Sequence, residues 1–148
     1  MFRRILILLG ETPSSISARH YALAMARSAE AELAGMTGLD LPYIEAVMPG
    51  RVGASAYGAR LQGTLRQQAQ DIGREAREQF DGECRAHAVP FEIMSFEGDP
   101  IEALCAAAEL SDLVVTGHDT AFRGKVHEQL SDMLSKLLLI AELFVLLI

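Results

Sequence analysis

Apolar runs of strand length alternate with helix-like periodicity along this chain, and that alternation constrains its fold more than any other feature. Ile5 to Leu9 is a continuous apolar run between Arg3-Arg4 and Gly10, as expected of a parallel strand buried on both faces. Thr12-Pro13-Ser14-Ser15 then supplies helix-start chemistry. Ile16, Tyr21, Leu23, Ala24, Met25 and Ala29 mark an apolar helix face ending near 29–31. Leu33 to Leu39 reads as a second strand, weakened by Gly35 and Gly38. Residues 41–58 carry Pro42, Pro49, Gly50, Gly53 and Gly58 and read as a long loop.

Leu61, Leu65, Ala69, Ile72, Ala76, Phe80 and Cys84 recur by threes and fours, which predicts one long amphipathic helix over 59–88. A third strand follows over 89–96. At Gly98-Asp99-Pro100, Asp99 can cap free N–H groups and Pro100 fits the first helical position, so a helix should run to about Leu110. Leu113 to Thr116 is a fourth strand, 117–124 a polar loop, 127–141 a helix and 143–148 a fifth strand. Strict alternation calls for a parallel sheet with right-handed helical crossovers, hence a doubly wound, five-stranded α/β domain over residues 1–148. Ligands in such sheets bind beyond the carboxyl ends of the strands. Those ends are Gly10-Glu11-Thr12, Leu39-Asp40 and Gly117-His118-Asp119.

Composition removes several function classes. The 148 residues carry a formal charge of -7, whose field repels phosphate backbones and argues against nucleic-acid binding. No apolar run reaches the roughly 20 residues that span a bilayer, and Met1 to Leu9 is too short for a signal peptide, so a cytoplasmic location is expected. Cys84 and Cys105 are isolated, and the histidines show no i, i+4 pairing, so no metal site is expected. His118 and Asp119 stand side by side where doubly wound enzymes keep active residues, but no nucleophile accompanies them in a known spacing. The pair reads as caps of strand and helix ends, and no catalytic residue is assigned.

Arg3-Arg4-Ile5-Leu6-Ile7 with the Thr-Pro-Ser-Ser start, Gly98-Asp99-Pro100, and Ser111-Asp112-Leu113-Val114-Val115-Thr116-Gly117 together resemble the universal stress protein family over nearly the whole chain. The resemblance implies strand order 3-2-1-4-5. In the family's ATP-binding branch the fourth strand is followed by Gly, two residues, Gly, nine residues, then Gly and Ser or Thr. Such glycines bring backbone N–H groups close to phosphates. Counted from Gly117, this chain offers Thr120 and then Leu130-Ser131, so two of the three glycines are missing. A register shifted by one residue ends on Ser131-Asp132 and brings negative charge to the phosphate position.

The family's Asp at the end of the first strand is replaced by Gly10 and Glu11. The candidate pocket is therefore degenerate: Gly10, Glu11, Leu39, Gly117, Thr120, Arg123, Gly124 and Ser131. Arg123 and Lys125 beside Gly124 could hold some small anion. No cofactor is expected; the alternative is ATP or AMP with magnesium. The family also pairs its last strand across a two-fold axis, which here falls on Phe144, Val145, Leu146 and Leu147 and implies a homodimer. A phosphorylated receiver domain is disfavoured, since Glu11 stands alone and the last strand has no Lys. A relative of ATP pyrophosphatases would need a Ser-Gly-Gly type loop that 10–12 lacks. The expected role is a non-catalytic stress-response protein acting through dimerisation or a partner, with a nucleotide-binding switch as the alternative.

Overall fold

A computed structural model describes residues 2–46, 55–120, 122–123 and 145–148. The elements are β1 (Arg4–Leu8), α1 (Pro13–Ala29), β2 (Glu32–Asp40), α2 (Leu41–Ala46), α3 (Ser55–Ala86), β3 (Phe91–Gly98), α4 (Pro100–Glu109), β4 (Leu113–Thr116) and β5 (Val145–Leu147). All strand pairs are parallel, and the order is β3-β2-β1-β4-β5. The doubly wound expectation holds. The helix expected over 127–141 lies outside the described residues.

Strand alternation divides the core. Ile5, Ile7, Leu9, Leu33 and Val115 pack under α1 and α3, while Leu6, Leu8, Ala34, Met36 and Val114 pack against Leu104, Ala107 and Ala108 of α4. The α3 face follows its periodicity: Leu65, Ala69, Ala76, Phe80 and Cys84 are buried, with Leu61 and Ile72 half-buried. Burial, with Glu83 and Asp81 nearby, pushes the Cys84 thiol up to about 11. Asp99 caps α4 as expected, accepting the Ile101 N–H at 2.9 Å.

Two expectations need correction. The apolar face of α1 does not include Tyr21, which is 57% exposed, or Ala24; its buried face is Ser15, Ala18, Arg19, Ala22, Leu23 and Ala26. Alanines at i, i+4 and i+8 let the helix sit close on β1 and β4, and bulk there would push it away. The second concerns 41–58, where a loop was expected. Leu41–Ala46 is helical, and α3 already begins at Ser55. Asp40 starts α2 by accepting the Tyr43 N–H at 3.2 Å, and Pro42 sits in the first turn, where no donor is needed. Ile44 of α2 joins Leu39, Leu65 and Ala69 in a third small core.

The glycines of β2 make room for rings. A Cβ on Gly35 would lie 2.7 Å from the Phe80 ring, and one on Gly38 would run into that of Phe96. Phe80 itself meets Phe91 edge-to-face, with centroids 5.6 Å apart. Among the described residues, no helix is long and apolar enough to cross a membrane.

Candidate functional site

The register Ile7↔Val115 sets the exits of β1 and β4 side by side, so the loop after β4 meets the start of α1. Gly117 permits that meeting. A Cβ there would fall 2.6 Å from the Ser15 backbone nitrogen, a clash only backbone movement could relieve. Gly10 is constrained in the same way, its missing Cβ facing the Ser15 Oγ at 2.8 Å.

Thr12 caps α1: its Oγ1 accepts the Ser15 N–H at 3.1 Å. The same hydroxyl donates to Asp119 Oδ1 at 2.7 Å, and the Ser14 hydroxyl donates to that oxygen as well. Ser15 Oγ and Thr120 Oγ1 share a hydrogen bond of 2.8 Å. Asp119, only 8% exposed, thus places a carboxylate over the first turn of α1, where the helix dipole favours negative charge.

The loop continues to the end of β2. Phe122 takes a left-handed backbone (φ 57°), its carbonyl accepts the Asp40 N–H at 3.0 Å, and its ring meets Phe96 edge-to-face at 5.1 Å. Arg123 Nε donates to Asp40 Oδ2 at 2.8 Å, with side chains only 14% and 4% exposed. Its guanidinium lies 4.4 Å from the centre of the Tyr43 ring. Beneath this loop is a crevice of about 50 Å³, bordered by Gly10, Glu11, Thr12, Thr37, Gly73, Asp119, Thr120 and Arg123. A wider groove of about 330 Å³ opens beside it between α3 and β3.

Of the expected pocket residues, Gly10, Glu11, Thr120 and Arg123 meet at this crevice. Gly117 acts one step back, as the spacer against α1. Leu39 turns into the small core under α2 and borders the neighbouring groove. Gly124 and Ser131 lie outside the described residues, as does Phe144 of the expected pairing strand. His118 and Asp119 face different partners: the His118 N–H donates to the Ile148 carbonyl at 3.1 Å, with Nδ1 also 3.1 Å from that oxygen. His118 thus ties the end of β4 to the residue after β5, in line with the expected capping role, whereas Asp119 binds the hydroxyls of Thr12 and Ser14 and leaves the capping of α1 to Thr12. Among the described residues, no cluster of His, Cys, Asp and Glu could hold a metal ion.

Sequence reasoning missed that the hydroxyls of Thr12 and Ser14 bind Asp119 and that Ser15 meets the expected Thr120 beside them, and it missed Asp40 as the partner of Arg123. The adjacency of β1 and β4 was the available signal, because it brings residues about a hundred positions apart to one point.

Burial, then the Glu75 carboxyl of α3, hold the Glu11 carboxyl above its ordinary value. A raised carboxyl means that the folded state binds the proton more tightly. The stability contributed is therefore complete below the ordinary carboxylate range and is lost as pH rises through the folded value. Glu11→Gln should accordingly stabilise the protein at neutral pH, by less than about 1 kcal/mol at this exposure, and leave it unchanged below about pH 4. Thermal unfolding across pH checks this; an equal shift at both ends would show that the two carboxyls do not interact.

The fold is that of universal stress proteins. A universal stress protein from Lactobacillus plantarum superposes with a TM-score of 0.66 at 19% identity, covering 99% of this chain and 97% of its own. One from the family in Burkholderia pseudomallei gives 0.63 at 20%, over 98% and 94%. An Arabidopsis thaliana family protein solved with AMP bound gives 0.62 at 14%, over 99% and 90%. No family model matches the sequence, and no curated protein matches it either.

Proposed function

We propose that this chain is a single-domain, cytoplasmic member of the universal stress protein family that works without catalysis, by pairing with a second copy or with another protein. The observation that carries this reading is the closed crevice. Asp119 lies on the first turn of α1, Arg123 is engaged by Asp40, and the crevice between them measures about 50 Å³, beside a wider groove of about 330 Å³. On this reading the nucleotide pocket is degenerate and the protein has no resident cofactor. Pairing through β5 is supported by the strand's place at the sheet edge, with Val145 half-buried and Leu146 exposed.

A second reading, a nucleotide-binding switch, is favoured by the Arabidopsis neighbour solved with AMP. It would use Gly10, Glu11, Thr120 and Arg123, together with Gly124, Ser131 and magnesium. Light scattering over a concentration series, with calorimetric titration of ATP and AMP with magnesium in parallel, separates the two. The expected result is a dimer mass that nucleotide does not change, with no heat of binding up to millimolar nucleotide. A monomer at every concentration would overturn the pairing, and binding at micromolar affinity would put the switch first.

A further inference from the structure

The groove of about 330 Å³ between α3 and β3 falls within the roughly 300–1,000 Å³ of ordinary ligand pockets. Thr37 borders it from β2. This residue is 4% exposed, yet its hydroxyl makes no hydrogen bond among the described residues and is not sealed off from the space beside it. Buried hydroxyls are ordinarily paired, so a bare one at the floor of a groove marks a place for a ligand atom.

Gly73 stands over that hydroxyl on α3. A glycine inside a helix weakens it relative to alanine, and packing does not require one here, because a Cβ at Gly73 would meet its nearest neighbour, the Thr37 Cβ, at an ordinary 3.5 Å. The missing methyl leaves helix backbone bare above Thr37. Arg77 follows four residues later on the same face of α3, about 6 Å along the helix axis. It borders the groove, is exposed, and has no ion-pair or hydrogen-bond partner among the described residues. The neighbouring Arg74 is engaged by Asp71 at 3.1 Å, and Glu97, the carboxylate on the opposite rim, faces Arg66 at 3.8 Å.

We propose that this groove binds a small aromatic monocarboxylate: its carboxylate takes the Arg77 guanidinium, its ring lies between Gly73 and β3, and a polar group at the far end of the ring pairs with the Thr37 hydroxyl. The site stands beside the closed crevice and uses no phosphate, so it goes beyond the reading above and does not depend on it. One unpaired guanidinium matches one carboxylate, which it binds through two parallel hydrogen bonds. A flat body suits a wall of bare backbone at Gly73, with Ala69 and Leu39 apolar beside it. A benzene ring with polar groups at opposite ends spans about the length of the helical turn from Gly73 to Arg77.

Calorimetric titration with 4-hydroxybenzoate, and with benzoate as the analogue that lacks the second polar group, tests the proposal. The native protein should bind 4-hydroxybenzoate at least fivefold more tightly than benzoate. Thr37→Val keeps the shape of the side chain and breaks no hydrogen bond within the protein, and it should abolish that preference. Arg77→Gln should weaken both acids at least tenfold. Gly73→Ala should raise the thermal midpoint, since alanine favours the helix, and still weaken both acids at least fivefold. No binding of either acid up to millimolar concentration would overturn the proposal. So would a preference that survives Thr37→Val, or affinities that Arg77→Gln or Gly73→Ala leaves unchanged. Displacement of the acid by AMP would put it in the crevice instead and overturn the site as well. AMP binding that leaves the acid's affinity unchanged would overturn the closed-crevice reading alone.

Discussion

Replacing Phe80 with alanine is expected to lower the free energy of unfolding by about 3–5 kcal/mol, the usual cost of removing a fully buried ring. Phe80 is fully buried, crosses Phe91 edge-to-face, and covers the backbone of β2 at Gly35. Gly35→Ala acts from the other side. Its methyl would stand 2.7 Å from the ring, and overpacking of that kind costs about 1–3 kcal/mol. The two losses should not add. In the double variant the new methyl occupies part of the space that the ring has left, so the combined loss should fall short of the sum. Urea denaturation of the four proteins measures the coupling, and strict additivity would mean that ring and strand do not share this space.

Removing Glu83 is expected to cost about 3 kcal/mol, because it strands a cation that the fold has taken out of water. The Arg19 side chain is 5% exposed, and it reaches from α1 to α3. Its Nε and one terminal nitrogen donate to the two Glu83 oxygens at 2.8 and 3.1 Å, and that terminal nitrogen also donates to Gln79 at 3.0 Å. Among the described residues, Glu83→Ala leaves the neutral Gln79 as the side-chain partner facing the charge. Arg19→Met should be much milder, since an apolar chain of similar length fills the same channel with no charge to desolvate. Chemical denaturation ranks the two. If Arg19→Met costs as much as Glu83→Ala, the interaction stabilises the fold by packing, and the argument from charge fails.

The parts of the fold that were legible in the sequence are those whose cause is local. Leu113-Val114-Val115 is an apolar, β-branched run that Thr116 completes as a strand. The start of α4 is written in Asp99-Pro100, and the buried face of α3 in its spacing. The start of α2 follows the same logic as that of α4, with Asp40 ahead of Pro42 by two residues, and Pro42 was read as a loop residue. On α1, hydrophobicity pointed to Tyr21, whereas close packing selected alanines. The candidate site was legible as a place, the strand exits, but not as an arrangement. Thr12 and Asp119 are separated by 107 positions, and Asp40 and Arg123 by 83. No spacing rule joins such residues, and only the order of strands in the sheet does.

Gly38 faces Phe96 directly across the β2–β3 ladder, and this pairing fixes where an edge strand can dock. A slip of one residue would turn every side chain of β3 to the wrong face, and a slip of two would seat Phe96 against Met36 or Asp40, with no hollow for its ring. The glycine and the ring therefore act as keyway and key. The exposed edge of a sheet invites strands from other molecules, and this one accepts a neighbour on its inner side in a single alignment. A foreign segment competing for β3's position would need an aromatic ring opposite Gly38 to fill the hollow that Phe96 fills.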